Sequence, residues 1–321
     1  MTGTADRSEL LGIDLNLLVS LRVLLQERSV SRAAQRLGIG QPAMSTQLGR
    51  LRRHFADELL TRAGNTYMLT PLATQLLGRV EEAVTGVRLA FSAEPSFDAA
   101  VSRRDFRLAM SDHSLAVLGS ALCALVEERA PRVRLRIEPT HEGFLGTPKQ
   151  IHSSVDAVVL PQGYVDELPH LLLYTDDPVL LVGSDNHAVG ARTSLRELAE
   201  QPWVVTYDWP SSPAIHQLRS QGMEPRVRAV VESFTALPYL IAGTGNVAVI
   251  YRRLADRLPL APGVRVLPWP CRAEPVLETV WWHPMHDTDP GHQWLRSMFV
   301  DAASIVEATP RPSDEPHQHR Q

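Results

Sequence analysis

Residues 31–55 read SRAAQRLGIGQPAMSTQLGRLRRHF. The stretch divides into a helix, a tight turn at Gly38-Ile39-Gly40, and a second helix opening at Gln41-Pro42. Met44, Leu48, Leu51 and Phe55 recur at helical spacing, so they share one face and form the buried stripe of the second helix. At about 100° per residue, Pro42, Thr46, Gly49 and Arg53 fall on the opposite face, with Ser45, Arg50 and Arg52 on its flanks. That outward face offers hydroxyls and guanidinium groups, with small residues that let the backbone come close to a partner. Ala33, Ala34 and Leu37 give the first helix a small-residue surface to pack beneath the second. Pro42 fits a first turn, where its missing N–H is no loss. Two helices so arranged form a helix-turn-helix, whose second helix lies in a DNA major groove. An amphipathic hairpin with a solvated basic face shares this periodicity; the spacing of Ala-Ala, Leu, Gly, Gln-Pro-Ala and Ser is more demanding.

Upstream, residues 1–13 look frayed. Asp14 can cap a helix carrying Leu17, Leu18, Leu21, Leu24 and Leu25, the third wall of a small core. Arg28-Ser29-Val30 turns the chain, and Ser31 is the expected cap of the next helix. Downstream, residues 59–62 and 67–70 alternate as two short strands around Ala63-Gly64-Asn65-Thr66, which reads as a wing. Pro71 begins a helix to Phe91 with Leu72, Leu76, Val80, Ala83 and Val87 in one stripe. The small N-terminal unit cannot cover that stripe, which predicts a dimer through paired helices.

Charge follows the same division. Residues 1–91 carry 11 Arg and 8 acids, whereas the whole chain is −4. Residues 31–62 hold 6 Arg against 2 acids, so the basic excess falls on the proposed reading unit, as phosphate neutralisation requires. All but one of the 32 basic residues are Arg, which reads as a compositional bias. No apolar run reaches the ~18 residues that span a membrane, and MTGTADRSELLGIDLN lacks a signal-peptide apolar core; a cytoplasmic protein is expected. Two cysteines are too few for a disulfide scaffold, and Cys123, in an apolar run, is expected to be a small buried residue.

Ala33-Ala34, Leu37, Gln41-Pro42-Ala43-Met44-Ser45, Leu48 and Leu51, followed by Leu59-Leu60, Arg62 and Leu69-Thr70, resemble the DNA-binding domain of LysR-type transcriptional regulators. The resemblance is nearest to the branch of nodulation and aromatic-catabolism regulators. Gly40 stands where the family usually has Ser, which weakens the cap of the second helix by a few tenths of a kcal/mol. That first turn is therefore expected to be ordered partly by DNA. Ala56 stands where Gly is common, and Arg52 where Glu is common.

From residue 105 strands and helices alternate. Strands are expected at 106–110, 133–139, 156–160, 179–182, 203–207, 227–231, 247–251, 264–267 and 277–283, with helices at 115–129, 194–200, 213–221, 234–243 and 291–306. This rhythm predicts an α/β domain with mostly parallel sheets. The resemblance implies two lobes, like those of periplasmic solute-binding proteins, with crossings near 165–180 and 268–282 and a ligand in the cleft between them. The fold class is thus α/β overall: residues 1–70 a winged helix-turn-helix, 71–92 a linker and dimerisation helix, 93–104 a hinge, 105–308 a two-lobed effector domain, and 309–321 a disordered tail.

Several clusters are candidates for chemistry. Ser111-Asp112-His113-Ser114 lies at a strand end before a helix, where exposed N–H groups favour polar ligands. Adjacent residues on one turn do not converge as a catalytic set, and no G-x-S-x-G elbow is present. Gly243-Thr244-Gly245-Asn246-Val247-Ala248 imitates a dinucleotide fingerprint in the wrong context, since it follows a helix and enters a strand. It reads as a turn bordering the cleft. His283, His286, Asp287, Asp289 and His292 are dense, but Pro284 and Pro290 break any regular spacing, so no metal site is expected.

The candidate DNA contacts are Ser31 and Arg32 on the first helix, Gln41, Pro42, Ser45, Thr46, Gly49, Arg50 and Arg53 on the second, and Arg62 on the wing. The candidate effector contacts are Ser111, Asp112, His113, Thr140, Glu142, Tyr207, Asp208, Phe234 and Thr244. Neither catalytic residues nor a cofactor are expected. The resemblance implies double-stranded DNA, an aromatic or carboxylate effector, RNA polymerase, and a homodimer or homotetramer as partners. A small-molecule-binding protein or enzyme with an incidental helical N-terminus is the alternative; an architectural DNA binder without an effector is another.

Overall fold

The computed structural model describes residues 14–63, 66–91, 96–140, 155–165, 168–190, 192–206, 213–260, 262–272 and 274–309. They fall into two compact units, with the main division after Ala93.

The first unit holds α1 (Leu15–Glu27), α2 (Val30–Leu37), α3 (Gln41–Phe55), a ribbon of β1 (Leu60–Ala63) and β2 (Thr66–Leu69), and α4 (Pro71–Phe91). Asp14 accepts the Asn16 N–H at 3.0 Å and so caps α1. The cap of α2 is Ser29, which accepts the Arg32 N–H at 3.4 Å. Ser31, expected in that role, lies inside the helix. Arg28 turns left-handed at φ 48°, which leaves Ser29 as the residue in extended backbone. Gly38 at φ 67° closes α2, and Gly40 opens α3 with no side-chain cap bond.

Met44, Leu48 and Leu51 of α3 are buried with Leu21, Leu24 and Leu25 of α1 and Ala33 and Ala34 of α2. On α4, Ala73 and Val80 are buried, and Leu76, Leu77 and Val84 pack beside them. Leu72 and Val87 are half-buried and Ala83 is exposed. Helix α1 therefore covers much of the apolar face that the sequence assigned to a second subunit. Leu15 and Val19 of α1 remain exposed.

Helix α3 ends on Ala56, left-handed at φ 49° and exposed. An L side chain pays about 1–2 kcal/mol there, and glycine does not. After allowance for the looser unfolded chain, Ala56→Gly should stabilise this unit by about 0.5–1 kcal/mol. The check is the melting temperature of the full chain, in the transition that reports the first unit; a lower value would contradict the assigned backbone.

The second unit has two sheets. In the first lobe β3 (Asp105–Met110), β4 (Arg134–Pro139), β5 (Ala157–Pro161), β6 (His170–Asp176) and β12 (Val276–Trp281) stand in the order β4-β3-β5-β12-β6. In the second, β7 (Pro178–Gly183), β8 (Pro202–Thr206), β9 (Arg226–Val231), β10 (Val247–Tyr251) and β11 (Val264–Pro268) stand in the order β11-β7-β10-β8-β9. The chain passes between sheets at Asp177 and again between Pro268 and Val276. Helices α5 (Asp112–Arg129) and α10 (Pro290–Ala308) pack against each other in the first lobe, and the short α6 (Leu195–Ala199), α7 (Pro213–Ser220), α8 (Leu237–Ile241) and α9 (Arg252–Ala255) serve the second.

The sheets are mixed, not mostly parallel. β3 is parallel to β4 and β5, and β8 to β9 and β10, but β12 and β7 run antiparallel to both of their neighbours. Each reversal follows a passage between lobes, because a strand that crosses over enters its new sheet from the shared edge. Cys123, expected to be buried, is exposed on α5, and Cys271 is also exposed.

Candidate DNA-reading face and effector cleft

In the first unit the inward stripe of α3 fixes what it turns outward. Gln41, Pro42, Ser45, Thr46, Arg50 and Arg53 are exposed and Gly49 is half-buried. Two tethers set the pose of α3 against α1: the Ser20 hydroxyl donates to Gln47 Oε1 at 2.6 Å, and Arg50 pairs with Asp14 at 3.1 Å. The Thr46 hydroxyl turns back to the Pro42 carbonyl at 3.0 Å. Ser31 and Arg32 are exposed on α2, with Arg32 and Arg36 paired to Glu27 at 3.4 and 2.7 Å. Those arginines and the Glu27 carboxyl face each other, which holds that carboxyl below its ordinary range.

Arg52, placed on the flank of α3 by its spacing, ties that helix to the wing. Its guanidinium donates to the carbonyls of Glu58 and Leu60 at 2.9 and 3.3 Å and pairs with the Glu58 carboxylate at 3.0 Å. Asp57 completes the joint, because one oxygen takes the Leu59 N–H at 2.6 Å and the Thr70 hydroxyl at 2.7 Å. Thr70 in turn caps α4 by accepting the Ala73 N–H at 3.1 Å. Leu59, buried and left-handed at φ 59°, is held in that strained backbone by the Asp57 bond. Arg62 is exposed on β1, beside the Tyr67 position of β2.

In the second unit, strand direction defines the facing edges of the lobes. Met110 lies beside Pro139 and Val159, and Val276 beside Asp176, so the ends of β3, β4, β5 and β6 share one edge. In the other lobe the ends of β8, β9 and β10 lie at the edge where β7 begins. Ser111, Asp112, Thr140, Thr206 and residues 233–235 therefore border the passage between lobes, where ligands of open α/β sheets sit. Thr140 and Thr206 are buried.

Ser111 caps α5, accepting the Ser114 N–H at 3.1 Å. Asp112 leaves its own helix and reaches the second lobe. Its carboxylate accepts the N–H groups of Phe234 and Thr235 at 3.1 and 2.9 Å and the hydroxyls of Ser233 and Thr235 at 2.8 and 2.8 Å. Burial pushes this carboxyl up, but those four donors outweigh it and hold it below the ordinary carboxylate range.

His113 is fully buried behind that contact. Its Nε2 faces Asp176 at 3.2 Å and its Nδ1 faces Glu278 at 3.4 Å. Burial alone would lower its pKa; hydrogen bonds to the two buried carboxylates raise it to about 9. The ring stacks on Tyr251 at 5.1 Å and touches Phe234 at 5.7 Å. The Ser114 hydroxyl donates to Glu278 at 3.3 Å, and Asp176 accepts the Arg253 N–H at 2.9 Å. His113 is thus the cation of an internal cluster at the first crossing. Phe234, expected to flank a ligand, is 5% exposed and belongs to the core.

Thr244 does not border the cleft. Val247 opens β10 beside Val182, near the end of β7, so the Gly243–Asn246 turn sits at the far edge of the second lobe. A turn's residues do not reveal which sheet edge it serves. Glu142, Tyr207 and Asp208 lie outside the described residues, as does most of the expected tail. Asp176, Glu278, Arg253 and Thr235 were missed from sequence. The available signal for the first two was an acid inside an apolar strand, in LLLYTD and VLETVWW.

The histidine-rich loop is structural. His292 gives Nε2 to the Asp156 carbonyl and Nδ1 to Arg296, each at 2.9 Å, and stacks on His286 at 4.8 Å. Burial, with His286 beside it, lowers its pKa to about 4, so the ring is neutral. Asp289 caps α10 and pairs with Arg104 at 2.7 Å. Among the described residues no group of three potential metal ligands converges, and no helix is long and apolar enough to cross a membrane.

Comparison with known proteins agrees with this geometry. Residues 15–74 match the family described as bacterial regulatory helix-turn-helix protein, lysR family, and residues 99–304 match the LysR substrate binding domain. Nodulation protein D 1 of Bradyrhizobium japonicum is 31% identical over 302 residues, covering 92% of this chain and 93% of that protein. Nodulation protein D 2 of Rhizobium tropici is 28% identical over 298 residues, covering 92% and 94%. A probable transcriptional regulator from Pseudomonas aeruginosa superposes with a TM-score of 0.63 at 24% identity, over 90% of this chain and 97% of that one. CbnR, a LysR family transcriptional regulator, superposes at 0.59 with 14% identity, over 92% and 99%. The chain belongs to the LysR family of bacterial transcriptional regulators, with a DNA-binding helix-turn-helix joined to an effector-binding domain.

Proposed function

We propose that this regulator acts as a homodimer or homotetramer in the cytoplasm and reads an interrupted inverted repeat near a promoter. Paired α3 helices would enter successive major grooves about 34–36 Å apart or a multiple of it. Arg50, Arg53 and Arg62 hold phosphates or base edges, with Ser31 and Arg32 at the flank. Gln41, Pro42, Ser45 and Thr46 set local specificity, and Gly49 allows close approach. A small molecule in the cleft changes lobe closure, re-spaces the reading units and alters recruitment of RNA polymerase. Residues 1–70 serve reading, 71–92 dimerisation, 93–104 the hinge and 105–308 the effector, with 309–321 as a tail. The observation that carries this reading is the outward face of α3, polar and basic, behind which the large apolar residues Met44, Leu48, Leu51 and Phe55 are committed to the core. The cleft binds without catalysing, since His113 is enclosed by carboxylates and Ser111 is spent on its helix.

The test is a gel-shift titration against the protein's own upstream region at two salt concentrations. Each lost phosphate contact lowers the salt slope by about 1, so Arg50→Ala with Arg53→Ala should lower it by about 2 per subunit. No sequence-specific complex at low salt, or an unchanged slope in the double variant, would sink the reading.

A further inference from the structure

The Asp112 contact has an unusual division of labour. The acceptor belongs to the first lobe and every donor to the second, on the turn from β9 into α8. Two backbone N–H groups and two hydroxyls converging on one point form a receptor for a carboxylate. A carboxylate offers about four lone-pair sites; three donors meet Oδ2 and the Phe234 N–H meets Oδ1, so Oδ2 is filled and Oδ1 keeps one acceptor site. The receptor is shaped further from within: the Ser233 hydroxyl oxygen accepts the Ala236 N–H at 3.1 Å and lies 3.1 Å from the Thr235 hydroxyl.

We propose that Asp112 is an internal anion that determines effector specificity: it fills the carboxylate receptor of the second lobe, so the cleft takes effectors that bring no carboxylate to this position. The inference rests on the reading of this cleft as the effector site. Its physical basis is twofold. Asp112 is tethered, so a free carboxylate competes against a partner at high effective concentration. A carboxylate that did displace it would leave Asp112 without its donors, part-buried beside a second negative charge. A hydroxyl or amide incurs neither cost, because it can donate to the outer face of a carboxylate. An uncharged polar ligand is therefore compatible with the closed lobes, and a small carboxylate is not.

The test uses the full chain and acetate, which carries the carboxylate removed by Asp112→Ala plus one methyl group. Melting temperatures are measured for the wild type, Asp112→Ala and the isosteric Asp112→Asn, in acetate, chloride and acetamide series at matched ionic strength. Asp112→Ala should melt several degrees lower, and acetate should recover the loss in a saturable titration, while chloride and acetamide do not. Wild type should show no response to acetate beyond chloride. If Asp112→Ala is too unstable to purify, Asp112→Asn replaces it. Its amide must point a donor at the donor set, so it should also melt below wild type and gain from acetate. A wild type as responsive to acetate as the variant, or variants that lose stability and ignore acetate, would overturn the proposal. Specific DNA binding by the wild type is scored in parallel. Its absence would count against the regulator's cleft as an effector site and leave the acetate result intact.

Discussion

Replacing His113 with Asn should destabilise the effector domain by about 3–5 kcal/mol, the usual consequence of removing one partner from a buried ion pair. His113 is 1% exposed, and its ring is the counter-charge of Asp176 and Glu278, both nearly inaccessible. The groups that face it from other elements are Tyr174 on β6, Tyr251 on β10 and Phe234, none of them a cation. Arg253 is near but spends its side chain on the carbonyls of Thr175 and Val306. Without His113 two carboxylates would share a dry site. The same cluster sets a pH dependence. The folded pKa, about 9, lies above the ordinary value of 6.5. The contribution of the imidazolium is therefore fully present below pH 6.5 and is lost as pH rises through 9. Over that window the loss is on the order of 3 kcal/mol. Denaturant unfolding of wild type at pH 6.5 and 9 should show the decline, and His113→Asn should start lower and slope less. A variant as stable as wild type at pH 7 would remove the cluster from any account of this domain.

The second large effect lies at the opposite edge of the second lobe. A Cβ on Gly183 would stand 2.4 Å from the Thr244 carbonyl oxygen and 3.0 Å from that of Ile241, both main-chain atoms. Gly183→Ala must push the Gly243–Asn246 turn off the end of β7, at a cost of about 1–3 kcal/mol. Gly245 supplies the control, because a Cβ there meets nothing within 4 Å. Gly245→Ala should be almost silent. Since this edge is remote from Asp112 and Ser233, neither change should alter ligand chemistry in the cleft. Thermal melts of both variants decide the matter: equal damage would argue that the G-x-G-x-x-A pattern has a role beyond a turn.

How much of this was legible depended on the range of the physics. The α3 stripe could be read because its period runs through a whole helix, and the caps because they are local. Even there, Ser29 and Ser31 were confused, since either serine suits a cap and only the left-handed Arg28 decides between them. β6 was missed because HLLLYTD and PVLLVG are separated by Asp177 alone, and only 179–182 was read as a strand. Cys123 misled because α5 is apolar nearly all round, and periodicity could not say which residues faced outward. The buried charges were illegible for another reason. His113 offsets the buried Asp176 and Glu278 only when three distant segments meet at the crossing. Of the effector candidates, Ser111 and Asp112 were found by their place after a strand, but the donors opposite them were set by topology.

The strand order of the first lobe has a consequence for synthesis on the ribosome. β12 stands between β5 and β6, and among the described residues β6 is an edge strand paired to β12. While the chain emerges, β5 and β6 are made early and wait without their shared neighbour. The inserted lobe, complete by Pro268, can close its own sheet first. The lobe that begins first therefore finishes last, and the nascent protein carries two open strand edges until residues 276–281 arrive.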